Sequence, residues 1–161
     1  MSALILFSLV VGVGATAILD GFAKLSEYAF GITATNWAKV GQLLRRWSAG
    51  RFGAIVGDVP APSPADGVVG WIFHYLVGIL YAAALPIFWG MGFVHDPTPG
   101  PVVLIGFGAS TLAGTMILMP AMGAGFAGSR LPNRAARLGY LVVAHALFAT
   151  AQYALACAIA G

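Results

Sequence analysis

Every lysine and arginine of this chain lies in one of two stretches, and those stretches alternate with long apolar runs. Lys24, Lys39, Arg45, Arg46 and Arg51 fall between the first and second runs, and Arg130, Arg134 and Arg137 between the third and fourth. The two ends carry no basic side chain, and the 88–100 connection carries none either. Positive charge in short connections is retained on the cytoplasmic side of a membrane. The pattern predicts four spans, with both termini and the middle connection facing outward.

Composition supports that placement. Of the 161 residues, 60% are hydrophobic and 8% charged, whereas a soluble domain carries about 25% charged residues. So few charges cannot cover a water-facing surface, and the bilayer has to act as solvent. The expected fold is all-α: one integral-membrane domain, a four-helix bundle with an interfacial amphipathic helix in the first cytoplasmic connection. The spans are expected at about 3–23, 68–93, 101–126 and 138–161, each near the ~20 residues that cross the hydrocarbon core. The first run lacks the basic n-region of a removable leader and is expected to stay as a helix. The net charge of +3 follows from residues at helix ends, where anionic headgroups account for them, so nucleic acid is not an expected partner. Cys157 is the single cysteine. It allows no intramolecular disulfide and is read as a small packing residue.

The amphipathic helix is expected at about 36–49. Trp37, Val40, Leu44 and Trp47 recur on one face, with Lys39, Gln42, Arg45 and Arg46 largely on the other. Thr35 or Asn36 would cap its start and Gly50 would end it. On that basis Trp37 and Trp47 sit at headgroup depth and Arg45 and Arg46 turn to phosphate; the competing reading docks the helix on a partner protein. Three prolines, Pro60, Pro62 and Pro64, mark 53–66 as a loop.

Small residues indicate where spans touch. Gly106, Ser110 and Gly114 recur every four residues in the third run, and Gly12 and Thr16 in the first. Such rows let backbones approach closely, which matters where lipid supplies no hydrophobic drive for association. Pro86 and Pro120 predict kinks. The string Val11–Thr16 resembles Ile105–Ser110, and Gly70-Trp71 with His74 echoes Gly139-Tyr140 with His145. Both halves would run inward and then outward, a parallel duplication.

Asp20, His74 and His145 are the ionisable groups inside the spans, where such groups are costly and often functional. The two imidazoles lie about 10 and about 13 Å from the cytoplasmic ends of their runs, one layer, with Asp20 about 6 Å in. A site between helices that uses His74 and His145 could ligate haem iron, bond a quinone, bind copper with Met116, Met119 or Met122, or relay protons with Asp20. Against this stands a structural role. Each neutral imidazole would bond a neighbour such as Thr16, Tyr75, Ser110, Thr111, Thr115 or Tyr153 and fix helix register. Asp20 would pair with Lys24 or with an arginine of the third connection. No cofactor is required by the sequence, and no dedicated metal site is expected. His95 and Asp96 are expected in solvent. No GxSxG, HExxH or paired acidic motif is present, so no catalytic residue is assigned and the balance tilts away from an enzyme. The expected partners are the bilayer and a larger membrane complex or a second copy.

Several strings together resemble a known family: Gly12-Val13-Gly14-Ala15-Thr16 with Asp20, Asn36-Trp37, Gly50-Arg51-Phe52, and Gly70-Trp71-Ile72-Phe73-His74-Tyr75 with Gly78. Pro120-Ala121-Met122-Gly123-Ala124-Gly125, Ser129-Arg130-Leu131-Pro132 and His145 complete the set. The chain resembles a bacterial family of small four-span inner-membrane proteins, domain of unknown function 2938. The resemblance implies a helical inner-membrane protein with no assigned chemistry and carries over no catalytic residue; it is the charge pattern that places both termini in the periplasm. Met119 and Ala149 depart from its pattern.

Overall fold

The computed structural model describes residues 2–57 and 59–161; Met1 and Asp58, the latter within the loop expected at 53–66, lie outside them. Regular structure among the described residues is helical throughout: α1 (Ser2–Phe30), α2 (Trp37–Ser48), α3 (Pro64–Trp89), α4 (Pro99–Ala121) and α5 (Arg134–Ala160). All but α2 are long and apolar enough to cross a membrane. The chain is a multi-pass helical membrane protein.

Helix ends depart from the ends of the apolar runs, each for a local reason. α1 continues to Phe30 and stops where Gly31 turns to φ 65°. α3 starts early because Ser63 caps it: Ser63 Oγ accepts from Asp66 N–H at 3.2 Å, and Asp66 Oδ2 accepts from Ser63 N–H at 2.7 Å. That reciprocal pair satisfies two otherwise orphaned donors. α3 ends at Gly90 (φ 87°), and α4 ends before Gly123 (φ 80°). Polar residues continue a helix that the hydropathy pattern alone would terminate.

α3 is helical through Pro86, and Pro120 sits in the last turn of α4. α4 is in addition π-wound over Val103–Ala109 and again over Gly114–Leu118. Ser110 Oγ donates to Gly106 O at 2.6 Å and Thr115 Oγ1 to Thr111 O at 2.8 Å, so hydroxyls engage carbonyls next to the widened turns.

The spans pack as antiparallel neighbours, α1 between α3 and α5, with α4 on α5. A Cβ at Gly12 would collide with backbone of Gly78 and Ile79, one at Gly78 with Thr16, and one at Gly106 with Gln152 and Ala149. The core toward the end that holds both termini is Phe7, Val11, Ala82, Leu85, Phe93 and Val102, with Phe7 and Phe93 edge to face at 6.1 Å. Close contact of this kind supplies dispersion energy that hydrocarbon alone would not.

α2 begins where expected, with Asn36 Oδ1 accepting from Lys39 N–H at 3.1 Å, and Gly50 (φ 76°) follows its last turn. Its buried residues are Val40, Gly41 and Leu43. That face rests on α3 of the same chain, where sequence expectation placed lipid. α2 runs antiparallel to the start of α3: a Cβ at Gly41 would strike Asp66 O and one at Gly70 would strike Trp37 O. The connections are tied to the bundle. Ile55 N–H donates to Ala121 O at 2.9 Å, and Arg137 donates to Thr33 O and, at 2.8 Å, to Thr33 Oγ1.

Candidate functional site

Antiparallel packing of α1 on α3 brings Asp20 beside His74. His74 Nε2 lies 2.9 Å from Asp20 Oδ1, and Tyr75 Oη donates to Asp20 Oδ2 at 2.9 Å. A hydrogen bond at that distance places one proton in the gap between Nε2 and Oδ1. The pair is well shielded, with 8% of the His74 side chain and 19% of Asp20 exposed. Trp37 of α2 stacks on the His74 ring at 3.9 Å and 20°, and Trp71 meets it edge-on at 5.7 Å. One carboxylate thereby joins α1 to two successive residues of α3, and one indole joins α2 to the same imidazole.

His145 lies in a different pair of helices. Its Nδ1 is 3.1 Å from Thr111 Oγ1 of α4, and a Cβ at Gly114 would come within 3.3 Å of its Cε1. Among the described residues no hydrogen bond or ring contact joins His74 and His145. The two rings do share a level, each about ten residues into its helix. Asp20 bonds neither Lys24 nor an arginine among the described residues, because His74 and Tyr75 take both its oxygens. Gly12, Thr16, Gly106, Ser110 and Gly114 all face helix contacts.

Other expectations shift with the packing. Trp37 covers His74, Trp47 Nε1 donates to Gly53 O at 3.0 Å, and Arg45 pairs with Asp66 at 3.0 Å. Arg46 keeps its Nε away from solvent without an acceptor. Cys157 is exposed on α5, so it does not fill a helix contact. Met116 is also exposed, while His95 and Asp96 lie in the exposed turn between α3 and α4. One residue escaped the sequence reading. Gln152 is fully buried against Gly106, and neither amide atom has a bonding partner. A lone amide in an apolar run was the signal that marks it.

The arrangement can fix helix register, and it can hold one proton between Asp20 and His74. Searches against curated proteins and against solved structures each returned no match. A family model described as protein of unknown function (DUF2938) matches residues 9–159. Covering nearly the whole bundle, that match makes the chain a member of this family.

Proposed function

We propose that the chain is a non-catalytic integral protein of the inner membrane, with periplasmic termini, serving as an accessory or structural subunit that packs against a larger membrane complex or a second copy. The observation that carries this is the separate engagement of the two imidazoles. Each already bonds a polar group on the neighbouring helix, His74 to Asp20 and His145 to Thr111. A haem or quinone held between them would have to break both bonds and part closely packed helices. Interhelical bonds of this kind secure a bundle at about 0.6 kcal/mol each on average.

Native mass spectrometry of protein extracted gently from its own membrane tests this. The expected result is a retained protein partner or second copy. A Soret band that vanishes in His74→Ala or His145→Ala overturns it. Orientation is tested by single cysteines in a Cys157→Ser background: position 95 should label from the periplasm and position 133 from the cytoplasm.

A second reading is favoured by the Tyr75–Asp20–His74 chain, which could pass a proton along α1 and α3. Liposomes showing proton uptake that Asp20→Asn abolishes would establish it.

A further inference from the structure

α2 is fastened to α3 by contacts of two kinds. Along its length they are fixed: Val40 and Leu43 are buried, a Cβ at Gly41 would strike Asp66 O, and Arg45 Nη1 lies 3.0 Å from Asp66 Oδ1. At its first residue one ring rests on another, Trp37 over His74, with centroids 3.9 Å apart and planes 20° from parallel. That last contact depends on a group that can change its charge.

His74 Nε2 shares a proton with Asp20 Oδ1, and the other Asp20 oxygen accepts from Tyr75 Oη. Nδ1 makes no hydrogen bond among the described residues, and the atom keeps some exposed surface. With Nδ1 bare, the Asp20–His74 pair carries one negative charge. A proton taken up at Nδ1 brings the pair to zero net charge, an imidazolium facing a carboxylate. Trp37 covers the ring, and covering a net charge costs more than covering a neutral pair. A cation beneath an indole face is in addition attracted by the ring quadrupole. Both effects favour the docked position of α2 once the proton is bound. The neighbouring groups do not take over this role. α3 adds the Tyr75 hydroxyl, already donated to Asp20. Lys24 and Glu27 of α1 and Lys39 of α2 are exposed, and none bonds the pair. From α5, Tyr140 stacks on Phe22 at 5.8 Å and bonds neither member.

We propose that the Asp20–His74 pair is a pH-operated latch: a proton taken up at His74 Nδ1 tightens α2 on α3 through Trp37, and its loss loosens it. The latch requires no proton to cross the membrane, so it holds whether or not the Tyr75–Asp20–His74 chain conducts. Hydrogen–deuterium exchange of the full chain in neutral detergent reads it, run between about pH 5 and pH 8 and corrected for the intrinsic pH dependence of exchange. Protection of the α2 amides should rise as pH falls, by about tenfold across that range, while the amides of α5 stay level. His74→Gln, which keeps a donor for Asp20 and cannot become charged, should leave α2 protection independent of pH. Trp37→Leu, which leaves the bonds of Asp20 to His74 and Tyr75 in place, should flatten the dependence as well. Trp37→Phe, which restores an aromatic face, should recover part of it. Constant α2 protection across the range in the parent chain, or a dependence that survives in His74→Gln or Trp37→Leu, overturns the proposal.

Discussion

The α1–α3 and α4–α5 pairs are built on one plan and differ at one layer. In the first, Gly12 lies against Gly78, four residues after His74; in the second, Gly106 lies against Ala149, four residues after His145. Thr16 Oγ1 donates to Gly12 O at 2.7 Å, and Ser110 Oγ donates to Gly106 O at 2.6 Å. The Val11–Thr16 and Ile105–Ser110 strings therefore do matching work. The Gly-aromatic strings do not match in this register, since Gly70 precedes its histidine by four positions and Gly139 by six. Eight residues after Gly12 comes Asp20, which bonds His74; eight after Gly106 comes Gly114, which faces His145 with no side chain. The second half makes good the difference with Thr111, and among the described residues it has no counterpart to the α2 indole over the ring. The same scaffold can thus hold its imidazole by a shielded carboxyl group or by a single hydroxyl, at very different energetic stakes.

The comparison can be broken most forcefully at the close contacts it assumes. Gly78→Leu should cost about 3 kcal/mol or more, since a side chain there meets Thr16 and the α1 backbone. Gly21→Leu, facing open space, should stay within about 0.5 kcal/mol. Both are read from the midpoint of denaturation by a strong detergent. Next in size is an attempt to give the second half the carboxylate of the first. Gly108→Asp, away from any imidazole, should lose about 3 kcal/mol, the cost of an aspartate near a span centre. Gly114→Asp, beside His145, should lose about 1 kcal/mol because it finds a partner. Equal losses would mean that the halves are not equivalent.

Asp20→Ala should cost about 2 kcal/mol, since it strands both His74 Nε2 and the Tyr75 hydroxyl. Thr111→Val should cost only about 0.6 kcal/mol, the typical value for one interhelical bond in a bundle. Double-mutant cycles with His74→Ala and His145→Ala sharpen the contrast, with coupling expected to be larger in the first half. A reversed order would refute the account of unequal stakes.

The spans, α2 and the clustering of basic residues were legible because hydropathy and charge act along the chain. Small-residue rows at Gly12, Gly106 and Gly114 likewise announced contact faces. The partner of Asp20 was not legible from local spacing: Lys24 is four residues away, whereas His74 becomes a neighbour only once α1 and α3 pack. A fixed antiparallel register would have revealed it, because the Gly12–Gly78 contact brings position 20 to the level of 74. The destination of α2 was hidden for a related reason. An apolar face fits lipid or another helix equally well, and only Gly41 and Gly70 hinted at backbone-to-backbone contact.

The widened turns of α4 have a consequence for how the family can vary in length. A π turn holds one more residue than the α turn it replaces, so Val103–Ala109 stores a spare position. Excising Leu104, whose side chain is exposed, should let that turn tighten while everything beyond Ser110 keeps its orientation. The same excision from α3 would swing His74 away from Asp20 by the angle of one residue. Insertions and deletions among relatives should therefore be tolerated in the fourth helix and refused in the third.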